Sequence, residues 1–430
     1  MGSDWHKFKL GDLGSFRNGA NFSKKDYAPG FPIVNVKQLY AHRYVETDNL
    51  LEVSSKAISN PESLFLKNGD ILFARSSVKG SGAGQAAMIS SCPENTIFSG
   101  FIIRFRIEAR DIALPLFVNY LLRSDIYREL LPRIASGTTI TNLSQGTLAS
   151  LPILLPPLPE QRAIAHILGS LDDKIELNHR MNQTLEAMAR AIFKHWFIDF
   201  EFPNDNGEPY KSSGGEMIDS PLGPIPKGWR IVKIKSLGNI VCGKTPPKKQ
   251  RVFYENASIP FIKIPDMHNQ VFAVNSNDTL SCEAINIMRK KLLPANSICV
   301  SCIATVGEVV ITSRESFTNQ QINSIVPRKK YLVYYTYFMM KELQNTLVQM
   351  ASGGSATLNL NTKEFSNTSI IFPSESTIFR FHETVECLFQ RILLNQTEIN
   401  ALASLRDILL PKLMSGEIRV PVSEKEDDQL

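Results

Sequence analysis

The sequence predicts an α+β protein with a pseudo-two-fold internal repeat, in which two mixed α/β domains are separated by two long antiparallel coiled-coil helices. Three observations predict this fold. Segments of the first half realign on segments of the second half. Short β-rich runs alternate with glycine, proline and asparagine turns, and two stretches carry apolar residues at heptad spacing. A chain of 430 residues is also too long for one ordinary core.

The internal repeat begins near the N-terminus. "WHKFKLGDLGSFRNG", from Trp5, aligns without a gap on "WRIVKIKSLGNIVCG", from Trp229, and Gly19 matches Gly243. Further along, "NGDILFARSSVKG" matches "PANSICVSCIATVG", and "ASGTTITNLS" matches "ASGGSATLNLN" with one extra residue. A repeat at this scale predicts two copies of one structural unit.

The helical segments carry a strict four–three spacing of apolar positions, and the second series follows the first by 217 residues. Such heptads are typical of coiled coils. The two series are Ile164, Leu168, Leu171, Ile175, Asn178, Asn182, Leu185, Ala189, Ile192 and Trp196, and Phe381, Val385, Leu388, Ile392, Asn395, Ile399, Leu402, Arg406, Leu409 and Leu413. At 1.5 Å per residue, a helix from Glu160 to Phe197 would span roughly 57 Å.

Asparagines within the heptads are expected to set the register of the helix pair. Asn178, Asn182 and Asn395 occupy heptad positions, and Asn178 matches Asn395 in the repeat. A buried asparagine at such a position fixes register at some cost in stability. The alternative is two unrelated amphipathic helices, each packed on its own domain; the matched asparagines favour pairing.

These patterns divide the chain into six segments. They are a first mixed domain (1–157), a first long helix (158–200), a proline- and glycine-rich connector (201–228), a second mixed domain (229–373), a second long helix (374–416) and an acidic tail (417–430). Further helices are predicted near 115–134 and 331–350.

The bulk composition is that of a globular protein with mild positive charge. Hydrophobic residues make up 43%, charged residues 21%, and the net charge is +5. No apolar run reaches the roughly 18 residues of a membrane span, and the N-terminus is no secretory signal, so a cytoplasmic location is expected. Six scattered cysteines argue against a disulfide scaffold.

The stretch "GNIVCGKT" (238–245) matches the phosphate-binding pattern G-x-x-x-x-G-K-[ST]. A P-loop needs its lysine and threonine to open a helix, but Pro246 and Pro247 follow here and disfavour one. The first copy of the repeat reads "GSFRNGAN" at this place. An accidental match is therefore predicted, and a P-loop NTPase acting on nucleic acid is kept as the alternative function.

Other patterns that could carry chemistry have structural explanations. "CVSC" (299–302) reads as a strand, which would point its cysteines to opposite faces. Glu160 and Asp172 would lie about 18 Å apart on one helix, too far to share a metal ion. "GSGAG" (80–84) is interpreted as a flexible loop. No catalytic residue, metal site or cofactor is predicted in this chain.

Two variable mixed domains, each followed by a long helix, resemble the specificity subunit of type I restriction–modification systems. The resemblance is carried by "LPPLPEQRAIAHILGSLDDKIELNHRMNQTLEAMARAIFKHWF", by "LGPIPKGW" before the second domain and by "LLPKLMSGEI" near the C-terminus. It implies a non-enzymatic protein that binds double-stranded DNA at a bipartite, asymmetric site. It also implies partners: two methyltransferase subunits that use S-adenosylmethionine, and restriction or motor subunits that use ATP and Mg²⁺.

Each mixed domain would then be a target-recognition domain, and polar residues beside the repeated glycine turns are expected to contact DNA. Arginine and lysine bind guanine or phosphate, and asparagine and glutamine bind adenine. The predicted DNA-binding residues are Arg17, Asn18, Asn21, Lys24, Lys25, Lys37, Arg75, Ser76, Lys79, Thr138 and Thr139 in the first domain, and Lys244, Thr245, Lys248, Lys249, Lys263, His268, Gln320, Gln321 and Ser355 in the second.

Overall fold

The computed structural model describes residues 4–40, 43–77, 84–135, 141–247, 249–352 and 357–421. The chain divides into two compact units, Met1–Asp173 with Ala403–Leu430, and Lys174–Leu402. Each unit therefore combines one mixed domain with part of each long helix, and not only with the helix that follows it in sequence. Among the described residues, no helix combines the length and apolar character that crossing a membrane requires.

The first unit is built on a four-stranded antiparallel sheet, a three-stranded sheet and two strand pairs. Strands β1–β11 are His6–Lys9, Gly14–Asn18, Tyr27–Val34, Leu51–Val53, Ile71–Ala74, Ser76–Ser77, Ala86–Met88, Ile97–Phe98, Ile102–Ile107, Thr141–Asn142 and Pro152–Leu155. Helices α1–α3 are Pro115–Arg123, Asp125–Ile134 and Gln145–Ala149. The strand orders are β2-β9-β5-β7 and β4-β3-β8, with β1 paired to β11 and β6 to β10.

The four-stranded sheet is buried on both faces because side chains alternate along its strands. Phe105 of β9 packs in one apolar cluster with Phe117 of α1, whereas Ile102 of β9 packs in another cluster with Phe98. The helix predicted over 115–134 is two helices, because Ser124 adopts an extended backbone conformation between them.

The second unit repeats this arrangement. Strands β12–β23 are Met217–Ile218, Ile225–Pro226, Arg230–Lys233, Gly238–Cys242, Ile259–Ile262, Phe272–Ala273, Thr279–Leu280, Ile298–Ser301, Val309–Thr312, Phe317–Thr318, Ile322–Pro327 and Ser369–Phe372. Helices α5–α8, which come after the first long helix in the chain, are Glu283–Met288, Leu332–Glu342, Gln344–Ala351 and Thr362–Asn367. The order β15-β22-β19-β20-β17 contains the counterpart of β2-β9-β5-β7, and β18-β16-β21 matches β4-β3-β8. The predicted internal repeat is confirmed.

The two long helices are α4 (Leu158–Phe193) and α9 (Glu375–Met414). A π-helical turn, Lys194–Ile198, follows α4. In the first unit, Asp172 binds Arg406 at 2.8 Å, and Leu168 shares an apolar cluster with Leu413. Later residues of α4 therefore lie beside earlier residues of α9, so the two helices are antiparallel.

The same antiparallel pairing continues within the second unit, where the heptad asparagines lie. Asn178 donates from Nδ2 to Glu398 Oε2 at 2.9 Å. Asn395 donates from Nδ2 to Asn182 Oδ1, also at 2.9 Å. None of the predicted heptad positions is exposed, as expected for a coiled coil. Whether these asparagines set the register stays a prediction.

The segment predicted as a connector is packed against the second domain. Phe202 stacks on Tyr210, with ring centroids 4.6 Å apart, and on Trp229 at 5.0 Å. Strands β12 and β13 within it pair as a short antiparallel hairpin. The prolines and glycines of this segment therefore lie in turns between packed elements.

Candidate nucleic-acid interface

Two glycines form the backbone frame of the predicted recognition loops. Gly19 follows β2 and Gly243 follows β15. A Cβ atom added at either position would lie 2.1 Å from a carbonyl oxygen, that of Ser99 in the first domain and that of Asn319 in the second. Only glycine permits this approach of two backbones, so both copies of the repeat keep it.

The hydrogen bonds around the two glycines are also the same. The N–H of Gly19 donates to the carbonyl of Ile102 at 3.1 Å, and the N–H of Gly243 donates to the carbonyl of Ile322 at 3.1 Å. This shared register defines which residues correspond beside the glycines. The corresponding pairs are Asn21 and Thr245, Gly100 and Gln320, and Phe101 and Gln321.

The side chains on this common frame differ in size and chemistry. In the second domain, the Thr245 hydroxyl donates to Gln320 Oε1 at 2.6 Å. In the first domain, a Cβ atom at Gly100 would lie 2.1 Å from Asn21 Oδ1. The two loops therefore present different surfaces from the same backbone.

The predicted first-domain residues lie mostly on exposed surface. Arg75 is half-buried, and its N–H donates to the carbonyl of Phe101 at 2.8 Å. Ser76 is the first residue of β6, and Lys79, Thr138 and Thr139 lie outside the described residues. The exposed members are Arg17, Asn18, Asn21, Lys24, Lys25 and Lys37.

A short turn fixes the backbone at Lys24 and Lys25. The Asp26 carboxylate accepts hydrogen bonds from the Ser23 N–H at 2.7 Å and from the Ser23 hydroxyl at 2.8 Å. Both bonds lower the pKa of Asp26, and the bond from the Ser23 N–H has the larger effect. The turn thus holds two cations at the surface beside the Gly19 loop.

The second-domain residues divide into exposed side chains and side chains already engaged within the domain. Lys244, Thr245, Lys249 and Gln320 are exposed. Lys248 and Ser355 lie outside the described residues.

Three other predicted residues of the second domain have internal partners. Lys263 Nζ binds Asp278 at 2.5 Å, and Gln321 Oε1 accepts from the Asn319 amide at 2.9 Å. The third contact is looser: His268 Nδ1 lies 3.6 Å from a Glu308 oxygen. DNA would have to compete with these partners, so they remain weaker predictions than Lys244 and Lys249.

The sequence reasoning missed Phe101, which is 64% exposed beside the Gly19 loop. Gln320 and Gln321 were predicted to contact DNA, but their counterparts in the first copy were not. Aligning "TNQQIN" with "FSGFII" through the strands that follow them would have found Gly100 and Phe101.

The two cysteines of "CVSC", Cys299 in β19 and Cys302 directly after it, face opposite sides, as predicted. Cys299 packs in one apolar cluster and Cys302 in another. Burial raises the pKa of Cys299 to about 12 and that of Cys302 to about 11. Among the described residues, no cluster of histidine, cysteine or carboxylate side chains could hold a metal.

The helix carboxylates have structural partners. Glu160 forms a bidentate pair with Arg419 at 2.6 and 2.8 Å, and Asp172 binds Arg406 and lies 3.3 Å from Arg43. Both carboxylates thus pair with arginines inside the first unit rather than forming a shared site.

The P-loop pattern lacks the helix that it requires. Residues 243–247 have irregular backbone, and the next element is the single turn Arg251–Phe253. The N–H of Lys244 donates to the Thr318 carbonyl at 2.9 Å rather than opening towards a ligand. The accidental-match interpretation fits this geometry.

Known proteins share both the repeat and its recognition domains. The family model described as "Type I restriction modification DNA specificity domain" matches residues 2–187 and 226–403. The chain is 35% identical to the type I restriction enzyme HindI specificity subunit of Haemophilus influenzae, over 97% of this chain and 100% of that one. This chain belongs to the type I restriction–modification specificity family.

Further relatives agree. The type I restriction enzyme MjaIX specificity subunit of Methanocaldococcus jannaschii is 29% identical over 97% of this chain and 94% of that one. The crystal structure of the S subunit from M. genitalium shares the fold, with a TM-score of 0.60 and 15% identity over 95% of this chain and 96% of that chain. The chain is therefore a specificity subunit, the DNA-recognition component of a type I restriction–modification system.

Proposed function

We propose that this specificity subunit reads an asymmetric DNA site in two halves, with one mixed domain on each half. The observation that carries the proposal is the pair of loops framed by Gly19 and Gly243, which match in backbone and differ in side chains. Different side chains on one frame favour two different half-sites, so a palindromic target is not expected. Guanine contacts by Arg17, adenine contacts by Asn21 and phosphate contacts by Lys244 are the expected chemistry.

The proposed spacing of the half-sites rests on the long helices. With 36 and 40 residues, α4 and α9 are about 54 and 60 Å long at 1.5 Å per residue. One turn of DNA measures about 34–36 Å. A helix pair of this length suits two half-sites separated by base pairs that no side chain reads.

We also propose that the outer faces of the helices hold two methyltransferase subunits, and that restriction or motor subunits join the complex. Apolar residues repeat at matched outer positions: Leu177 and Leu394 are 51% and 62% exposed, and Met188 and Leu405 are 50% and 46% exposed. Exposed apolar positions repeated in both helices favour partner docking. S-adenosylmethionine, ATP and Mg²⁺ would then bind the partner chains, which would methylate adenine N6 in each half-site.

The segment 192–197 contributes less to this surface than its sequence suggests. Phe193 and Phe197 are buried in the core of the second unit, and Trp196 packs against Phe381 with ring centroids 6.0 Å apart. Their rings stabilise the unit itself, so the docking proposal rests on the exposed helix positions.

The decisive experiment is single-molecule sequencing of methylated adenines in cells that carry this chain with its methyltransferase. The expected result is one bipartite motif with two different halves and a constant gap. A palindromic motif, or methylation without a sequence motif, would contradict the proposal.

A second experiment tests the basic loop of the second domain. Replacing Lys244 and Lys249 by alanine should weaken DNA binding across sequences and reduce the salt slope of log Kd by about 2, because each phosphate contact contributes about 0.9. Lys330→Ala is the matched control, since Lys330 lies outside the predicted interface and its charge is already paired with Glu386. If the wild type and the double variant show the same salt slope of log Kd, this loop does not contact DNA phosphates.

A third experiment tests the docking surface. Leu177→Asp combined with Leu394→Asp should abolish co-purification with the methyltransferase subunits. Leu222→Asp, at a 48% exposed position outside the helices, should leave co-purification unchanged. Undiminished co-purification of the double variant would place the docking surface elsewhere.

A further inference from the structure

A cavity of about 240 Å³ opens on the first domain beside the Gly19 loop. Phe101 lines one side of it and is 64% exposed. Phe22 and Tyr27 line it from the other chain segment, with their ring centroids 5.5 Å apart. Aromatic rings on both segments give the cavity the character of a site for a flat ring.

The exposure of Phe101 comes from a firmly held loop. The N–H of Gly100 donates to the Ala20 carbonyl at 2.6 Å, and the carbonyl of Phe101 accepts from the Arg75 N–H at 2.8 Å. Ser99 and Gly100 beneath it are buried. Burying an aromatic ring is favourable, and leaving it in water forgoes that free energy. Because the backbone holds the Phe101 ring in an exposed position, we expect a partner outside the chain to cover it.

The cavity also offers polar groups. Ser99 is 1% exposed, and its hydroxyl has no hydrogen-bond partner within the described part of the chain. A buried polar atom without a partner is uncommon and points to a missing ligand or water. The amide side chains of Asn21 and Asn35 line the same cavity, and so does Lys24.

The second domain carries a side chain at the equivalent place. Gln320 stands where the first domain has Gly100, and it accepts a hydrogen bond from Thr245, the counterpart of Asn21. In the first domain the Asn21 amide occupies that place, because a Cβ atom at Gly100 would lie 2.1 Å from Asn21 Oδ1. The Asn21 side chain thus lines the cavity on a loop that the second domain builds with different residues.

We propose that this cavity receives one nucleobase rotated out of the target duplex, stacked on Phe101 and hydrogen-bonded by Asn21, Asn35 and the Ser99 hydroxyl. Bases in a duplex present only their edges in the grooves, whereas an everted base presents a flat face and a polar edge together. Proteins that extrude bases hold them by stacking and by hydrogen bonds to that edge. Lys24 then neutralises the displaced phosphate. The inference rests on the proposed reading of one half-site by the first domain.

The test uses this chain in complex with its methyltransferase subunits on DNA that carries the motif found by the sequencing experiment proposed above. Each position of the motif except the methylated adenines, which the methyltransferase subunits would themselves extrude, is replaced in turn by a fluorescent base analogue, 2-aminopurine for purines and pyrrolo-cytosine for pyrimidines. The fluorescence at one position should rise about fivefold or more on binding, because the analogue no longer stacks on the neighbouring bases of the duplex. Phe101→Tyr should keep this signal and Phe101→Ala should remove most of it.

A graft of the second loop gives the sharpest comparison. Asn21→Thr with Gly100→Gln reproduces the Thr245–Gln320 pair, should fill the cavity and should abolish the brightening; unchanged thermal melting shows that the domain still folds. Phe379→Ala, at a 46% exposed aromatic position outside both loops, should leave the signal intact. Normal binding with no brightened position, or brightening that survives both Phe101→Ala and the graft, would overturn the inference. Failure of the wild-type complex to bind any specific motif would instead overturn the proposed function, and the inference with it.

Discussion

Asp172 and Phe389 occupy corresponding positions of the two long helices, 217 residues apart. Each connects the mixed domain of its unit to the helices, but the two do so through different interactions. In the first unit, Asp172 Oδ1 accepts from Arg406 at 2.8 Å and Oδ2 accepts from the Tyr120 hydroxyl at 2.7 Å. Arg43 donates to Tyr120 at 2.6 Å and to the carbonyl of Gly169 at 3.0 Å. Burial first, and then the charge of Asp172, raise the pKa of Tyr120, so its hydroxyl stays a donor.

The second unit makes the equivalent connection with aromatic rings. Phe389 is fully buried and lies with its ring centroid 4.1 Å from that of Tyr334 and 5.7 Å from that of Phe338. Tyr337, the counterpart of Tyr120, also contacts Phe389 at 5.7 Å. A tyrosine on the helix after the central sheet thus meets the same position of the long helix in both units.

This difference separates what the repeat conserves from what it leaves free. The backbone frame repeats in both units, and the starts of α1 at Pro115 and of α6 at Leu332 are separated by the same 217 residues as Asp172 and Phe389. The connection itself is charged in one unit and apolar in the other. The frame alone therefore does not determine whether hydrogen-bonded charges or buried rings fix a domain on its helices.

The largest expected effect is in the aromatic connection. Phe389→Ala should lower the free energy of unfolding of the second unit by about 3–5 kcal/mol, because it leaves a cavity in a packed core. Hydrogen exchange in α6 measures the loss locally. Phe379→Ala, on the same helix but 46% exposed, is the control and should cost less than about 1 kcal/mol. Similar losses for both would show that Phe389 is not central to the connection.

A smaller effect is expected in the charged connection. Asp172→Ala should cost the first unit about 1–3 kcal/mol, since it leaves buried cationic and hydroxyl groups without their acceptor. Added salt should change this cost little, because the Asp172 and Arg43 side chains are largely buried and buried charges are screened much less than exposed ones. Hydrogen exchange in α1 measures the loss.

Asp173→Ala is the matched control for the charged connection. Asp173 also binds Arg43, but its side chain is 71% exposed, and surface pairs contribute only about 0–1 kcal/mol. A loss at Asp173 as large as that at Asp172 would contradict the central role of the buried Asp172 carboxylate in this connection.

Local patterns in the sequence predicted the helices and the repeat, but not these connections. Heptads and glycine turns are readable because spacing along one segment determines them. The partners of Asp172 come from distant segments, and nothing near Lys263 in the sequence identifies Asp278 as its partner. Phe101 was missed for a related reason: composition predicts that phenylalanine is buried, and only the tertiary position of its loop exposes it.

The smallest expected effect concerns the asparagines between the helices, which match in the repeat and differ in hydrogen bonding. Asn395 is paired with Asn182, whereas the Oδ1 atom of Asn178 is buried with no partner in the described structure. Asn178→Leu should therefore raise the free energy of unfolding by up to about 1 kcal/mol, because it removes an unsatisfied acceptor. Its partner Glu398 is half-buried and keeps Lys174 at 3.5 Å.

Asn182→Leu should have the opposite sign. It would leave the buried amide of Asn395 without its acceptor and cost about 1–2 kcal/mol. Denaturant unfolding of both variants measures the two effects. If the asparagines also set register, Asn178→Leu should broaden the pattern of cysteine cross-links between α4 and α9 while it raises stability. If the cross-links of Asn178→Leu keep one unchanged register, the apolar heptad positions set the register instead. If both variants lose the same free energy of unfolding, both asparagines are fully hydrogen-bonded in the wild type.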